Sequence, residues 1–421
     1  MRKQKSARKN TKNKMKKTIS ISLSPNTEKD DVSLALDLLL RPWKWKQGRE
    51  LERMFRNFFG FSNAFGFNSG RSSLIAILKA MEIGKGDEVI VQAFTCNAAV
   101  NPIIHVGAKP VFVDIDETLN LSVEEVRSKI TSKTRAIMVQ HTFGYPAEVE
   151  EIKKICLLKD IYLIEDCAHS LGAKFKNSYC GSFGDASFFS FGRDKIISSV
   201  YGGMVVVNNE NLIEKVSDFQ KVLDYPSFFW TVQQLLHPVL MNKIILPLYD
   251  SKLGRGLLAL FLNLNILSKA VTRRENKGEL PAYFPKRMPD ALAVLAMHQL
   301  KKINRFNEHR RETAELYERE FVKKKINFVF KKDKSREQVF LKYLVMVVNP
   351  LKVVSEARKK GIYLNDGWNG SPVVPPLTAL ESVCYAISSC PKAEEAAKRI
   401  VCLPTHINIS RGDIKKIVDC F

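Results

Sequence analysis

A chain of 421 residues, 45% hydrophobic and 26% charged, has the balance of a globular protein with a large core and room for two domains, not that of a disordered or fibrous one. Its formal charge is +22, and nine of the Lys and Arg residues fall in the acid-free opening MRKQKSARKNTKNKMKK, residues 1–17, which reads as a disordered basic tail without the apolar stretch of a signal peptide. Subtracting those nine leaves a body that is still basic and suits phosphorylated ligands, anionic membrane surfaces or nucleic acid; no helix-turn-helix, zinc-finger or RNA-recognition signature accompanies the charge, so specific nucleic-acid recognition is not expected.

In chain order, a helical pattern covers about 35–62 and ends in RELERMFRNFFGF; a turn at Asn68-Ser69-Gly70 leads into a helix, SSLIAILKAM. DEVIVQAF reads as a strand, NAAVNPIIHVG as a helix, KPVFVDID as a strand and VEEVRSKI as a helix. TRAIMVQHTFG, EVEEIKKICLLK and IYLIED then repeat strand, helix, strand. This alternation predicts a largely parallel sheet covered by helices on both faces, with ligands at the carboxyl ends of the strands. After the strand MVVVNN, residues 217–275 turn apolar and acid-poor, as in YPSFFWTVQQLLHPVLMNKIILPLY and GLLALFLNLNIL. The latter is too short to span a bilayer, and the segment reads as helices packed on the body or on a partner subunit, with a membrane-surface patch as the alternative. DALAVLAMHQLKKINRFNEHRRETAELYEREF predicts one long helix; the strand FLKYLVMVV, the helix LKVVSEARKKGI and EEAAKRIVCLP complete a small α/β domain. The expected division is tail 1–17, large domain 18–275 and linking helix with small domain 276–421. The eight cysteines form no CxxC pair and no zinc spacing, so no metal is expected and a reducing cytoplasm is.

Three short stretches carry chemistry. In SFFSFGRDKIISSVYGG, Lys195 stands between an aromatic run and a glycine pair; apolar neighbours and Arg193 would favour the free amine that a Schiff base needs. Asp166 closes the strand IYLIED, twenty-nine residues earlier. A strand-end Asp can be a helix cap, but with a buried lysine it suits pyridoxal phosphate, whose aldehyde carbon bonds an amine and whose ring nitrogen is held protonated by a carboxylate. The turn FNSGRSSL opens a helix whose free N–H groups would attract an anion, with Gly70, Arg71 and Ser72 around the phosphate and Ser190 adding a hydroxyl.

Taken together, GRELERMFRNFFG, NSGRSSL, GDEVIVQAFTCNAAVNPIIHVGAKPVFVDID, QHTFGYPAE, IEDCAHSLGA, GSFGDASFFSFGRDK, RMPDALAVLAMHQL and CLPTH resemble the DegT/DnrJ-type sugar aminotransferases, over roughly residues 40–215 and 280–415. The resemblance implies a fold-type I pyridoxal-phosphate-dependent transferase: a mostly parallel seven-stranded sheet flanked by helices, with a smaller C-terminal α/β domain. It implies that Lys195 binds the cofactor covalently and shuttles protons, that Asp166 pairs with the ring nitrogen, and that His169 lies near the phenolic oxygen. Ser190, Gly70, Arg71 and Ser72 would contact the phosphate, and Cys96 would cover the ring face. It further implies an amino donor, glutamate, a keto-sugar acceptor carried on a nucleotide, and a homodimer; the cytoplasmic location and the prospect of a peripheral membrane contact rest on the cysteines and on the 217–275 stretch. Elimination or dehydration by the same cofactor, and a non-catalytic regulator, are the alternatives. The chain departs from the family's pattern at Arg71, where a threonine is usual; at Pro285, in place of an Asn that reaches the neighbouring subunit's cofactor; in GIYLNDGWNGSP; and in the apolar 217–275 stretch.

Overall fold

The computed structural model describes residues 18–45, 48–330, 332–364 and 367–421; the basic tail and two positions of GIYLNDGWNGSP lie outside the described residues. The first half places α1 (Lys29–Leu40), α2 (Gly48–Phe59), β1 (Ala64–Phe67), α3 (Gly70–Ala80), β2 (Glu88–Gln92), α4 (Asn97–His105), β3 (Lys109–Val113), α5 (Val123–Lys129), β4 (Thr134–Gln140), α6 (Val149–Lys159), β5 (Tyr162–Asp166), β6 (Ala186–Ser190) and β7 (Gly203–Val207). The strands form one seven-stranded sheet in the order β1-β7-β6-β5-β4-β2-β3, with β7 antiparallel to its neighbours and the other pairs parallel.

Strand periodicity explains why this sheet is buried on both faces. In β2, Val89 and Val91 join the main core while Ile90 points to a second cluster with Val113, Ile137, Val139 and Leu163 under α5 and α6. Each such fully buried aliphatic side chain contributes about 1.5–3 kcal/mol. The first turn of α3 lies close against β7, where a Cβ on Gly203 would fall 2.5 Å from the carbonyl group of Ser69. Only glycine permits that approach.

The second half runs through α7 (Glu210–Val222), α8 (Phe228–Leu240), a π-helical turn (Met241–Ile245), α9 (Lys252–Asn263), α10 (Asp290–Leu300), α11 (Ile303–Lys324), β8 (Lys342–Met346), α12 (Pro350–Lys359), α13 (Pro391–Arg399), β9 (Ile400–Pro404) and α14 (Arg411–Val418). β8 and β9 pair antiparallel over a second core that includes Tyr317, Phe321, Tyr343 and Leu403. Ile19 belongs to this core and pairs with Ile362, so the first described residues pack with the C-terminal half although the sequence division places them in the large domain.

Three expectations change. The helical pattern over 35–62 is two helices, because Pro42 brings a 3₁₀ turn (Pro42–Lys44) after α1. β1, with its short AFGF sequence, was not anticipated. The single long helix expected from Asp290 breaks at Lys301 and Lys302, where Lys302 N bonds to Gln299 O at 2.9 Å in a tighter turn. No proline or glycine stands there. Lys302 Nζ instead reaches across to Asp30 and Asp31 of α1, at 2.7 and 3.0 Å.

Candidate active site

The carboxyl ends of the parallel strands converge on one cavity of about 190 Å³, where roughly 10–15 Å³ admits one water. Asp166 ends β5, Ser190 ends β6 and Gln140 ends β4; Cys96 follows β2 as the cap of α4. Lys195 enters from the β6–β7 loop, and Gly70 and Arg71 from the first turn of α3. His169 follows β5, three residues beyond Asp166. All eight line the same space. A Cβ on Gly70 would lie 3.2 Å from Ser190 Cβ, so the bare glycine leaves the α3 N-terminus open beside the serine hydroxyl.

Burial sets the charge states. Asp166 is pushed up to about 6 by desolvation, against the pull of the Ala168 N–H (2.9 Å) and the nearby Lys195. Burial, reinforced by Lys195 and Lys342, holds His169 well below its ordinary value and therefore neutral. Its Nδ1 accepts the Phe143 N–H at 3.4 Å, which leaves Nε2 as the protonated donor, and its ring stacks on Phe143 at 5.2 Å. Burial raises the Cys96 thiol, so it is a neutral wall group. Asp194 is held low despite burial by Lys195 and Lys342.

The lysine loop is fixed from a distance. The Lys195 N–H donates to Gly192 O at 3.1 Å, and its carbonyl accepts from the amide of Asn26. Asn26 is fully buried; its Oδ1 accepts from Arg310 Nη2 at 2.6 Å, and Arg310 Nη1 donates to Leu341 O (3.2 Å) and Thr405 Oγ1 (3.1 Å). Arg310, pushed down to about 9 by burial, thus ties the chain before β8 and after β9 to the lysine. Nothing in the local sequence signals Asn26. The partnership joins residues 169 positions apart.

Two expected phosphate contacts are placed otherwise. Ser72 is not part of the cavity wall: its hydroxyl donates to Asn68 Oδ1 at 2.6 Å and its N–H is taken by the cap Ser69 at 3.1 Å. Ser69, not singled out in the sequence, lines the cavity instead. Arg71 does line it, but its guanidinium is committed elsewhere. Nε pairs with buried Glu275 at 2.5 Å, Nη2 donates to Ala270 O at 2.9 Å, and the group lies over the Phe284 ring. Arg193 and the Tyr201 hydroxyl hold the adjoining Ser268 and Lys269 carbonyls at 2.7 and 2.6 Å. Arg71, Arg193 and Tyr201 therefore strap residues 268–275 across the cavity, and Ala270 and Val271 become part of its wall. Trp368, in the segment GIYLNDGWNGSP, closes the side near His169.

Behind Asp166, His141, Glu165 and Cys167 lie within reach of one another. His141 Nδ1 accepts the Ala147 N–H and its Nε2 donates to Glu165 at 3.0 Å; Glu165 also accepts from Gly181, Phe183 and Gly184. These bonds use the ring nitrogens and both carboxylate oxygens, so the group braces the 181–184 turn and has no donor atom of His141 left for a cation. At the other such cluster among the described residues, Asp30, Asp31 and His298, the Lys302 ammonium takes the cation's place.

The model of the DegT/DnrJ/EryC1/StrS aminotransferases matches residues 26–224 and 264–421. The chain belongs to that family. It is 30% identical over 393 residues to the GDP-perosamine synthase of Escherichia coli O157:H7, covering 92% of each chain, and 29% identical over 307 residues to the spore coat polysaccharide biosynthesis protein SpsC of Bacillus subtilis, covering 70% of this chain and 68% of that one. Its fold matches that of the aminotransferase from Psychrobacter cryohalolentis, with a TM-score of 0.72 and 22% identity over 94% of this chain and 96% of the other. The DegT/DnrJ-type chain is thus an aminotransferase, and its cofactor is pyridoxal phosphate. The cavity suits that group: a buried carboxyl, a lysine, a neutral imidazole and an open helix N-terminus beside a hydroxyl meet in one enclosed space.

Proposed function

We propose that the enzyme transfers an amino group from glutamate to a keto-sugar carried on a nucleoside diphosphate, as a cytoplasmic homodimer, for a cell-surface polysaccharide or a related amino-sugar product. The observation that supports this most is the meeting of Asp166 and Lys195, from different segments, in one cavity at the carboxyl edge of the sheet. The relatives with sugar and polysaccharide names support the acceptor class, and the basic body suits a diphosphate.

Bound in this cavity, pyridoxal phosphate supplies an electrophilic carbon for an amine and a sink for electrons released at the adjacent carbon. The rest is the work of this chain. Asp166, ionised above about 6, would hold a proton on the ring nitrogen. The Gly70 and Arg71 N–H groups at the start of α3, with Ser190 Oγ, would hold the phosphate. Neutral His169 would donate from Nε2 to the phenolic oxygen. Lys195 Nζ would take the α-proton of the donor and later return one, as base and then acid. Trp368 and the strap at Ala270 and Val271 would keep water from the reacting carbon.

The test is a visible spectrum of the purified holoenzyme before and after glutamate, followed by a keto-sugar nucleotide and product analysis. A shift with glutamate that reverses with the sugar, and an aminated sugar product, are expected. A band indifferent to glutamate but responsive to another amino acid would replace the donor, and a dehydrated product without new amine would replace the reaction. Light scattering at micromolar concentration should report twice the chain mass; a fully active monomer would remove the homodimer.

A further inference from the structure

Lys195 stands in the stretch 191–202 that joins β6 to β7 without a helix or strand of its own. A lysine carries its amine on a flexible four-carbon stem, so the place of Nζ depends on how firmly the backbone beneath it is held. That backbone is strained. Val200, a β-branched residue on the cavity wall, is kept at a φ of +70°, in the left-handed region that favours glycine. Such a conformation persists only where the surroundings over-determine it.

Two side chains from outside the loop supply that constraint. Gln299, near the end of α10, accepts the Ser198 N–H at Oε1 (3.1 Å) and donates from Nε2 to the Asn26 carbonyl (3.1 Å). Asn26 donates from its side-chain amide to the Lys195 carbonyl, and Arg310 holds its Oδ1. The turn Lys195–Ser198 is therefore gripped at both ends, and the two gripping residues are bonded to each other. Ser198 Oγ passes the constraint on by accepting the Val200 N–H at 3.1 Å. Between the grips, Ile196 and Ile197 are buried in the main core and already hold the loop down. Apolar burial is non-directional; hydrogen bonds at the two ends also fix how the peptide planes are turned. Asn26 and Gln299 are themselves buried, where an amide is costly unless bonded. Neither lines the cavity, so each reaches the chemistry only through the loop.

We propose that Gln299 and Asn26 are positioning residues for the transfer reaction: as a bonded pair they hold the Lys195–Ser198 turn so that Nζ is presented to the cavity. The proposal rests on the reading of Lys195 as the amine that binds the cofactor and moves the proton.

Two variants separate positioning from packing. Asn26→Asp keeps the size of the side chain and an acceptor for Arg310 but sets an oxygen against the Lys195 carbonyl. Gln299→Leu removes both bonds of that amide, and it carries the same readouts should Asn26→Asp fail to fold. In rapid mixing of the holoenzyme with the amino acid that shifts the wild-type visible band, the saturating rate should fall by about 10²-fold, with KM for that amino acid unchanged. Hydrogen exchange of the full-length chain freed of cofactor gives a second readout: the Ser198 amide should exchange about tenfold faster in Gln299→Leu, with amides away from the loop unchanged. Wild-type band rates in both variants overturn the proposal. So does faster exchange throughout the chain in step with the loss of rate, which would make the pair purely structural. Lys195→Ala in parallel keeps the two readings apart. A visible band that survives it removes the lysine's role, whereas a lost band with unaltered rates in the two variants overturns the positioning alone.

Discussion

Asp166 and Phe229 show two ways in which this chain holds a group against its preference. Asp166 is a carboxylate kept out of water, and the surrounding polar groups are partnered across long sequence distances: Arg71 with Glu275, Asn26 with Arg310, Glu165 with His141 and three backbone N–H groups. Phe229 is an apolar ring left in water at the start of a helix whose other face packs on the body. The cavity stores unfavourable burial to be relieved by a ligand with a positive ring nitrogen. The 225–264 segment keeps Phe229, Leu253 and Leu260 in water. In the cavity, the departure from the core's usual economy points to what is to be bound.

Four substitutions on the buried side of that comparison test it, in falling order of effect. Lys195→Ala should lower turnover by at least about 10⁴-fold and remove the visible band of the holoenzyme; a normal band would reject the lysine's role. Asp166→Asn should cut turnover by roughly 10²–10⁴-fold, yet stabilise the cofactor-free protein. The folded carboxyl titrates at about 6 against an ordinary 3.8, so the folded state binds the proton more tightly and stability falls between those values as pH rises. Above about 6 the full penalty applies, on the order of 3 kcal/mol, and Asn would relieve it; below 3.8 wild type and variant should match. Denaturant melts of the apo forms at pH 4 and pH 8 check this, and an equal difference at both would refute the buried-charge account.

Arg71→Ala leaves Glu275 buried without its cation and should cost about 3–5 kcal/mol in denaturant unfolding, with faster release of cofactor as the 268–275 strap loosens. If phosphate binding were instead the residue's main role, cofactor affinity would drop with stability of the apo form unchanged. Asn26→Ala removes the donor to the Lys195 carbonyl and an acceptor of Arg310, and should cost about 1–3 kcal/mol. If Asn26 positions the lysine, kcat falls while KM for the amino donor holds; loss of stability alone would leave it a purely structural residue.

Much of the cofactor side could be read from the chain because its signals are local. The short apolar strand runs VIVQ and YLIED repeat with helices at short intervals, and Asp166, His169, Ser190 and Lys195 fall at strand ends or in the loop that follows. What the local pattern does not carry are the contacts between distant segments. Lys302 breaks a helix of good propensity because Asp30 and Asp31 await it on α1. Ser72 bonds within a cap network, and the Arg71 guanidinium anchors the 268–275 strap while its backbone stays at the cavity wall.

From the linear order of residues alone came the parallel sheet, its chemical edge, the expectation that Lys195 and Asp166 meet there, and an apolar, basic segment out of character with the rest. Periodicity and strand-end position are properties of ten or so neighbouring residues, so they survive without a third dimension. Only the folded molecule decided which cation holds which carboxylate, that Asn26 reaches the Lys195 carbonyl, and that the chain emerging at Thr18 stands beside Leu246. Those outcomes depend on the desolvation and pairing of groups hundreds of positions apart, and no local pattern encodes them.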